Sequence, residues 1–117
     1  MYRGLCVALW IVTAGFPAAA ADGAKLFQLQ CKGCHTEPPS SSAPTLHGVF
    51  GAKIAGNAAF KYSEGLAAKQ GTWDAAHLDE FLKAPDDFAP GTLMPTPAGL
   101  TGPADRAAII AYLKSLK

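Results

Sequence analysis

The chain has 117 residues, a formal net charge of +1, and a sequence that is 50% hydrophobic and 16% charged. That length allows one domain, and the high apolar content excludes a disordered chain. The balanced charge, with no Lys/Arg-rich run, excludes a nucleic-acid-binding surface. The apolar excess sits at the front, where residues 4–21 carry no charged side chain. Arg3 and the terminal amine make a short positive region, residues 5–16 form an apolar stretch of twelve, and Ala18 to Ala21 supply small residues of the kind a signal peptidase reads. A spanning helix needs about 20 apolar residues, so the stretch is short for one. Residues 1–21 are therefore expected to be a secretory signal cleaved after Ala21, leaving one domain over 22–117 with no stable membrane insertion; because the positive region carries a single charged side chain, an uncleaved anchor is the competing reading. Cys6 lies at the start of the apolar run, not after it, and is read as incidental.

Loss of that segment removes Arg3 and no acidic residue, so nine basic side chains face nine acidic ones. It leaves two cysteines (Cys31 and Cys34), one methionine (Met94) and one tryptophan (Trp73). A domain this small buries a limited core and commonly needs a disulfide, a metal or a cofactor to hold it. Asp22 can cap a first helix that runs to Cys31, with Ala24, Phe27 and Cys31 on one face and Leu26 beside them. Thr36 to Pro44 holds three prolines and three serines and reads as a loop. Glycines at 48, 51 and 56 prevent a long helix in the next stretch. Ser63 to Lys69 reads as a short helix ending at Gly71. Thr72 to Lys83 reads as a firmer one, with Leu78, Phe81 and Leu82 inward, stopping before Pro85. Pro85 to Gly102 reads as an extended loop. Pro103 opens a last helix to Leu116, with Ile109, Ile110, Leu113 and Leu116 on its apolar side. No run reads as a strand. Loops this long in so small a domain need something to lie against.

Cys31-Lys32-Gly33-Cys34-His35 is a C-x-x-C-H motif, the signal for covalent attachment of a c-type haem. Two thiols three positions apart can reach two vinyl groups on one side of a porphyrin, and the following His35 can offer a nitrogen to the iron. Export allows a disulfide between the two cysteines as an alternative. A thioredoxin-like pair would need a βαβ context, and a zinc site would need four ligands, for which no second C-x-x-C exists. The candidates for a second axial ligand are His47, His77 and Met94. A lone methionine usually packs a core. Met94, however, is the only one beyond the signal and lies in a Pro/Gly-rich loop that can lay a thioether against a haem face. His77 reads as solvated, and His47, twelve residues from His35, as lying on the same side as His35.

With these motifs in place the chain resembles the class I c-type cytochromes, close to the mitochondrial cytochrome c type and its bacterial relatives. The resemblance runs from Gly23 to Lys117 and rests on CKGCH, PTLHG, FKYS, TWDAAHLDEFL, PGTLM and RAAIIAYLK in order. It implies an all-α, single-domain cytochrome c fold of about four short helices, with long loops wrapped around one haem c attached through Cys31 and Cys34. It implies His35 and Met94 as the iron ligands, and Pro44 as the carbonyl that fixes the His35 imidazole. Tyr62 and Trp73 would be donors to a haem propionate, and Gly23, Phe27 and Tyr112 the crossing of the first and last helices. Some positions depart from the family pattern. Ala52 stands in place of an arginine, Phe81 in place of a tyrosine, and Asp86, Asp87 and Leu93 in place of lysines that ring the docking face.

The function so implied is that of a soluble one-electron carrier in a respiratory or dehydrogenase chain, and not an enzyme. It would be exported, in the bacterial periplasm, and monomeric. Its donor and acceptor would be redox proteins docking transiently at the haem edge. The competing reading is a small haem enzyme or gas sensor whose Met94 ligand is displaceable.

Overall fold

The computed structural model describes Ile11 and residues 22–95, 100 and 102–117, so the expected signal over 1–21 lies outside the described residues apart from Ile11. Helix α1 (Gly23–Gln30) starts where the Asp22 carboxylate accepts the Lys25 backbone N–H at 3.2 Å, satisfying one of the free donors of the first turn. Its inner face is Gly23, Leu26 and Phe27, and Cys31 is buried just beyond its end. Ala24, placed on that face by the sequence pattern, is exposed. Gly23 occupies the contact instead, because a Cβ there would overlap the Ala108 carbonyl oxygen and lie 2.8 Å from its carbon. The absence of a side chain lets α1 cross closely over the C-terminal helix, and the Phe27 and Tyr112 rings seal the crossing at 5.0 Å.

Helix α2 (Glu64–Ala67) is one turn capped by Ser63, whose hydroxyl accepts the Leu66 N–H at 3.3 Å. Helix α3 (Ala75–Lys83) buries Leu78, Phe81 and Leu82. It starts later than the sequence pattern suggests. Thr72 is taken up in an isolated antiparallel bridge with Lys53, and the Trp73 N–H donates to the Ala52 carbonyl at 2.7 Å. Asp74 then caps the helix through the His77 N–H at 2.8 Å.

The expected extended loop over 85–102 requires a correction, because it opens with a further helical turn, α4 (Pro85–Phe88). Proline at the first helical position has no N–H to waste and a backbone angle already suited to a helix. Phe88 N–H donates to Ala84 and Ala89 N–H to Pro85, at 3.0 and 2.9 Å. The turn is held by tertiary packing: the Phe88 ring lies 5.7 Å from both Trp73 and Phe81, and the Lys69 ammonium sits 4.6 Å above it.

Helix α5 (Pro103–Ser115) buries Ile109, Ile110 and Leu113 together with Arg106. It packs against α1 and α3, and α3 packs against α4. The fold is a single all-α domain, with five helices and no strand among the described residues. The long loops lie on its core, with Ile54 and Leu100 fully buried.

Candidate functional site

The C-x-x-C-H segment is a turn continuing from α1. Cys31 N–H donates to Phe27, and His35 N–H to Cys31, both at 2.9 Å, so α1 sets where the motif points. The two sulfurs are not joined: Cys31 is buried and Cys34 exposed. Burial pushes the Cys31 thiol up to about 11. His35 Nδ1 lies 2.8 Å from the Pro44 carbonyl. A carbonyl only accepts, so Nδ1 carries the hydrogen and Nε2 keeps its lone pair. Burial holds the imidazole below its ordinary value and outweighs the opposing effect of the Pro44 bond. The ring is therefore neutral, with a free basic nitrogen.

Two clefts, about 320 and 270 Å³, meet at a wall made of Cys31, His35, Pro44, Tyr62, Leu66, Phe81 and Met94. Trp73 lines the first and Cys34 the second, so all seven residues singled out in the sequence border this space. Tyr62 Oη accepts the Asn57 N–H at 3.2 Å and retains its own O–H as a donor. Met94 is half-buried against the core and follows a tightly tied stretch. The Asp86 carboxylate accepts the Gly91 N–H at 3.1 Å, Thr92 N–H donates to Ala89 at 3.0 Å, and Gly65 of α2 lies so close to Pro90 that a Cβ would overlap its carbonyl oxygen.

The competing histidines are placed differently from His35 and Met94. His77 borders neither cleft, and its Nδ1 donates to the Thr72 carbonyl at 2.8 Å. His47 borders the first cleft but is exposed. Of the departures from the family pattern, Ala52 lines the first cleft beside Lys53, and Phe81 lines both. Asp86 and Asp87 are exposed, and Leu93 at the second cleft is 94% exposed.

A neutral imidazole nitrogen, a thioether and two thiols around a mainly apolar space make a donor set that suits haem c, and these residues fit the group. Sequence reading did not single out Leu46, Val49 and Leu66 as cleft walls, or Asn57 as the partner of Tyr62. Apolar periodicity marks a buried face without saying what that face meets. Among the described residues no cluster of His, Cys, Asp and Glu could hold a metal ion alone, and no helix is long and apolar enough to cross a membrane.

The cytochrome c family model matches residues 20–117. Cytochrome c of Tetrahymena pyriformis is 47% identical over 98 residues, covering 83% of this chain and 88% of that one. Cytochrome c2 iso-2 of Magnetospirillum fulvum is 43% identical over 98 residues, covering 82% of this chain and 100% of the relative. The structure of cytochrome cH from Methylobacterium extorquens superposes with a TM-score of 0.72 at 40% identity, covering 82% of this chain and 97% of that one. With this likeness spanning the residues that border the clefts, the chain belongs to the class I c-type cytochromes, which carry electrons on covalently attached haem c and are not enzymes.

Proposed function

We propose that this chain is an exported, monomeric one-electron shuttle whose haem c is attached through Cys31 and Cys34 and held between His35 and Met94. The observation that carries the reading is that His35 and Met94 border the same pair of clefts, while His77 borders neither. When bound, haem c supplies an iron that gains and loses one electron. The residues of the chain set how readily that happens. Pro44 orients the His35 ring and keeps Nε2 free to bind iron. The Met94 thioether favours ferrous iron and raises the potential. Leu66, Phe81, Leu82 and Ile109 surround the site with apolar surface, which keeps water out and disfavours the extra charge of the ferric state. Tyr62 and Trp73, which line the first cleft, would be the donors to a propionate. With His35 and Met94 both holding the iron, no position would remain for a substrate, which favours a shuttle over a haem enzyme or gas sensor.

In this reading residues 1–21 are a signal cleaved after Ala21, and the domain over 22–117 works in the bacterial periplasm. Its donor and acceptor are redox proteins of a respiratory or dehydrogenase chain that dock briefly through a small interface. The test is to purify the protein from a periplasm that matures cytochromes and to record ferric and ferrous spectra with and without carbon monoxide. A sulfur-to-iron charge-transfer band at the red end of the ferric spectrum and little carbon monoxide uptake are expected. Rapid carbon monoxide binding without that band would favour the sensor or enzyme reading.

A further inference from the structure

We propose that Arg106 and Asp79 are positioning residues for Met94: their ion pair pins the far end of the segment carrying the thioether and so sets how firmly Met94 holds its place. The inference rests on Met94 being an iron ligand. The near end of that segment is tied by α4, by the Asp86 bond to Gly91 N–H and by the close approach of Gly65 to Pro90. The far end is Leu100, six residues past Met94 and fully buried. Its carbonyl accepts Arg106 Nη1 at 3.1 Å. The same guanidinium donates through Nε to Asp79 Oδ1 at 2.7 Å, so one planar group joins α5, α3 and the Met94 segment.

The two partners differ in exposure, and that difference says what each does. The Arg106 side chain is only 6% exposed, whereas Asp79 is 44% exposed. Removing the Asp79 carboxylate takes a charge-assisted bond from this buried guanidinium and favours its turning toward water, where a charge regains hydration. The rigid fork cannot turn without also withdrawing Nη1 from Leu100. Asp79 therefore acts on Met94 through Arg106, although it borders neither cleft. Asp79 is partly exposed at the edge of α3 and is not a core residue, so replacing it opens no cavity in the core.

The test uses the haem-loaded protein and free imidazole as a competitor for the sixth position of ferric iron. The variants are Asp79→Asn and Asp79→Leu. Leu26→Ala serves as a destabilised control that lies at the crossing of α1 and α5 and borders neither cleft. Loss of a charge-assisted hydrogen bond should lower the imidazole Kd about tenfold in Asp79→Leu. A smaller shift in the same direction is expected in Asp79→Asn, which keeps an acceptor. Leu26→Ala should unfold at lower urea with an imidazole Kd close to that of the unaltered protein. An unchanged Kd in both Asp79 variants, or an equal shift in Leu26→Ala, would overturn the proposal. If the unaltered protein lacks the sulfur-to-iron band and binds imidazole as tightly as Met94→Ala, the ligand assignment itself has failed.

Discussion

Production of the chain from residue 22 without haem, with Cys31→Ser and Cys34→Ser to prevent attachment, should leave it unfolded. The apolar clefts set the scale. At ~24 cal/mol per Å³, leaving 320 Å³ unfilled costs at most about 8 kcal/mol, and the second cleft of 270 Å³ adds at most about 6. Both open to water, which makes these upper bounds, but water gains little on walls made of Leu46, Leu66, Phe81, Leu82 and Ile109. A whole domain has only about 5–15 kcal/mol of stability, and one of this size lies toward the low end. Circular dichroism and the fluorescence of Trp73, the only tryptophan beyond residue 21, would report the outcome. We expect weak helical signal, a solvent-exposed tryptophan and no cooperative transition in urea. A haem-free chain that unfolds cooperatively with native-like helicity would refute the view that the core is built around the cofactor.

Met94→Ala should keep the haem attached but lose the sulfur-to-iron band, lower the reduction potential and bind carbon monoxide readily in the ferrous form; potentiometry and spectra check this. Gly23→Ala drives a methyl group into the Ala108 carbonyl and should cost about 1–3 kcal/mol, with thermal unfolding falling by several degrees and the potential nearly unchanged. Docking should respond weakly to salt, because residues 22–117 carry nine basic and nine acidic side chains and Asp86, Asp87 and Leu93 stand where lysines ring the mitochondrial type. Raising ionic strength from about 0.01 to 0.1 M shortens the Debye length from about 30 to 10 Å. A steep fall in electron-transfer rate with an acidic partner over that range would reveal a basic patch and contradict the expectation.

Local chemistry was the part of this molecule most legible in its sequence. Asp22, Ser63 and Pro103 mark helix starts because caps and first-turn prolines act within one turn. The five residues of the C-x-x-C-H motif are close in sequence because the cofactor needs them close in space. The turn at Pro85–Phe88 was hidden, since four residues rich in breakers and acids carry no helical period. What stabilises it is Phe88 against Trp73 and Phe81, a contact made by the fold. Ala24 and Gly23 illustrate the same limit: apolarity favours alanine as the buried residue, yet the close crossing of α1 and α5 needs the glycine. Arg106 reads as one more charged helix residue until the partner 27 positions away on α3 is seen beside it.

The central claim is that this fold is built around a haem bonded to its own polypeptide. Acid–organic extraction of protein matured in a cytochrome-competent periplasm, followed by denaturing electrophoresis and haem staining, tests it most directly. Thioethers at Cys31 and Cys34 survive both treatments, so the stain should remain with the polypeptide in the unaltered chain and disappear in the Cys31→Ser, Cys34→Ser variant. Haem that washes away from the unaltered chain would contradict the claim.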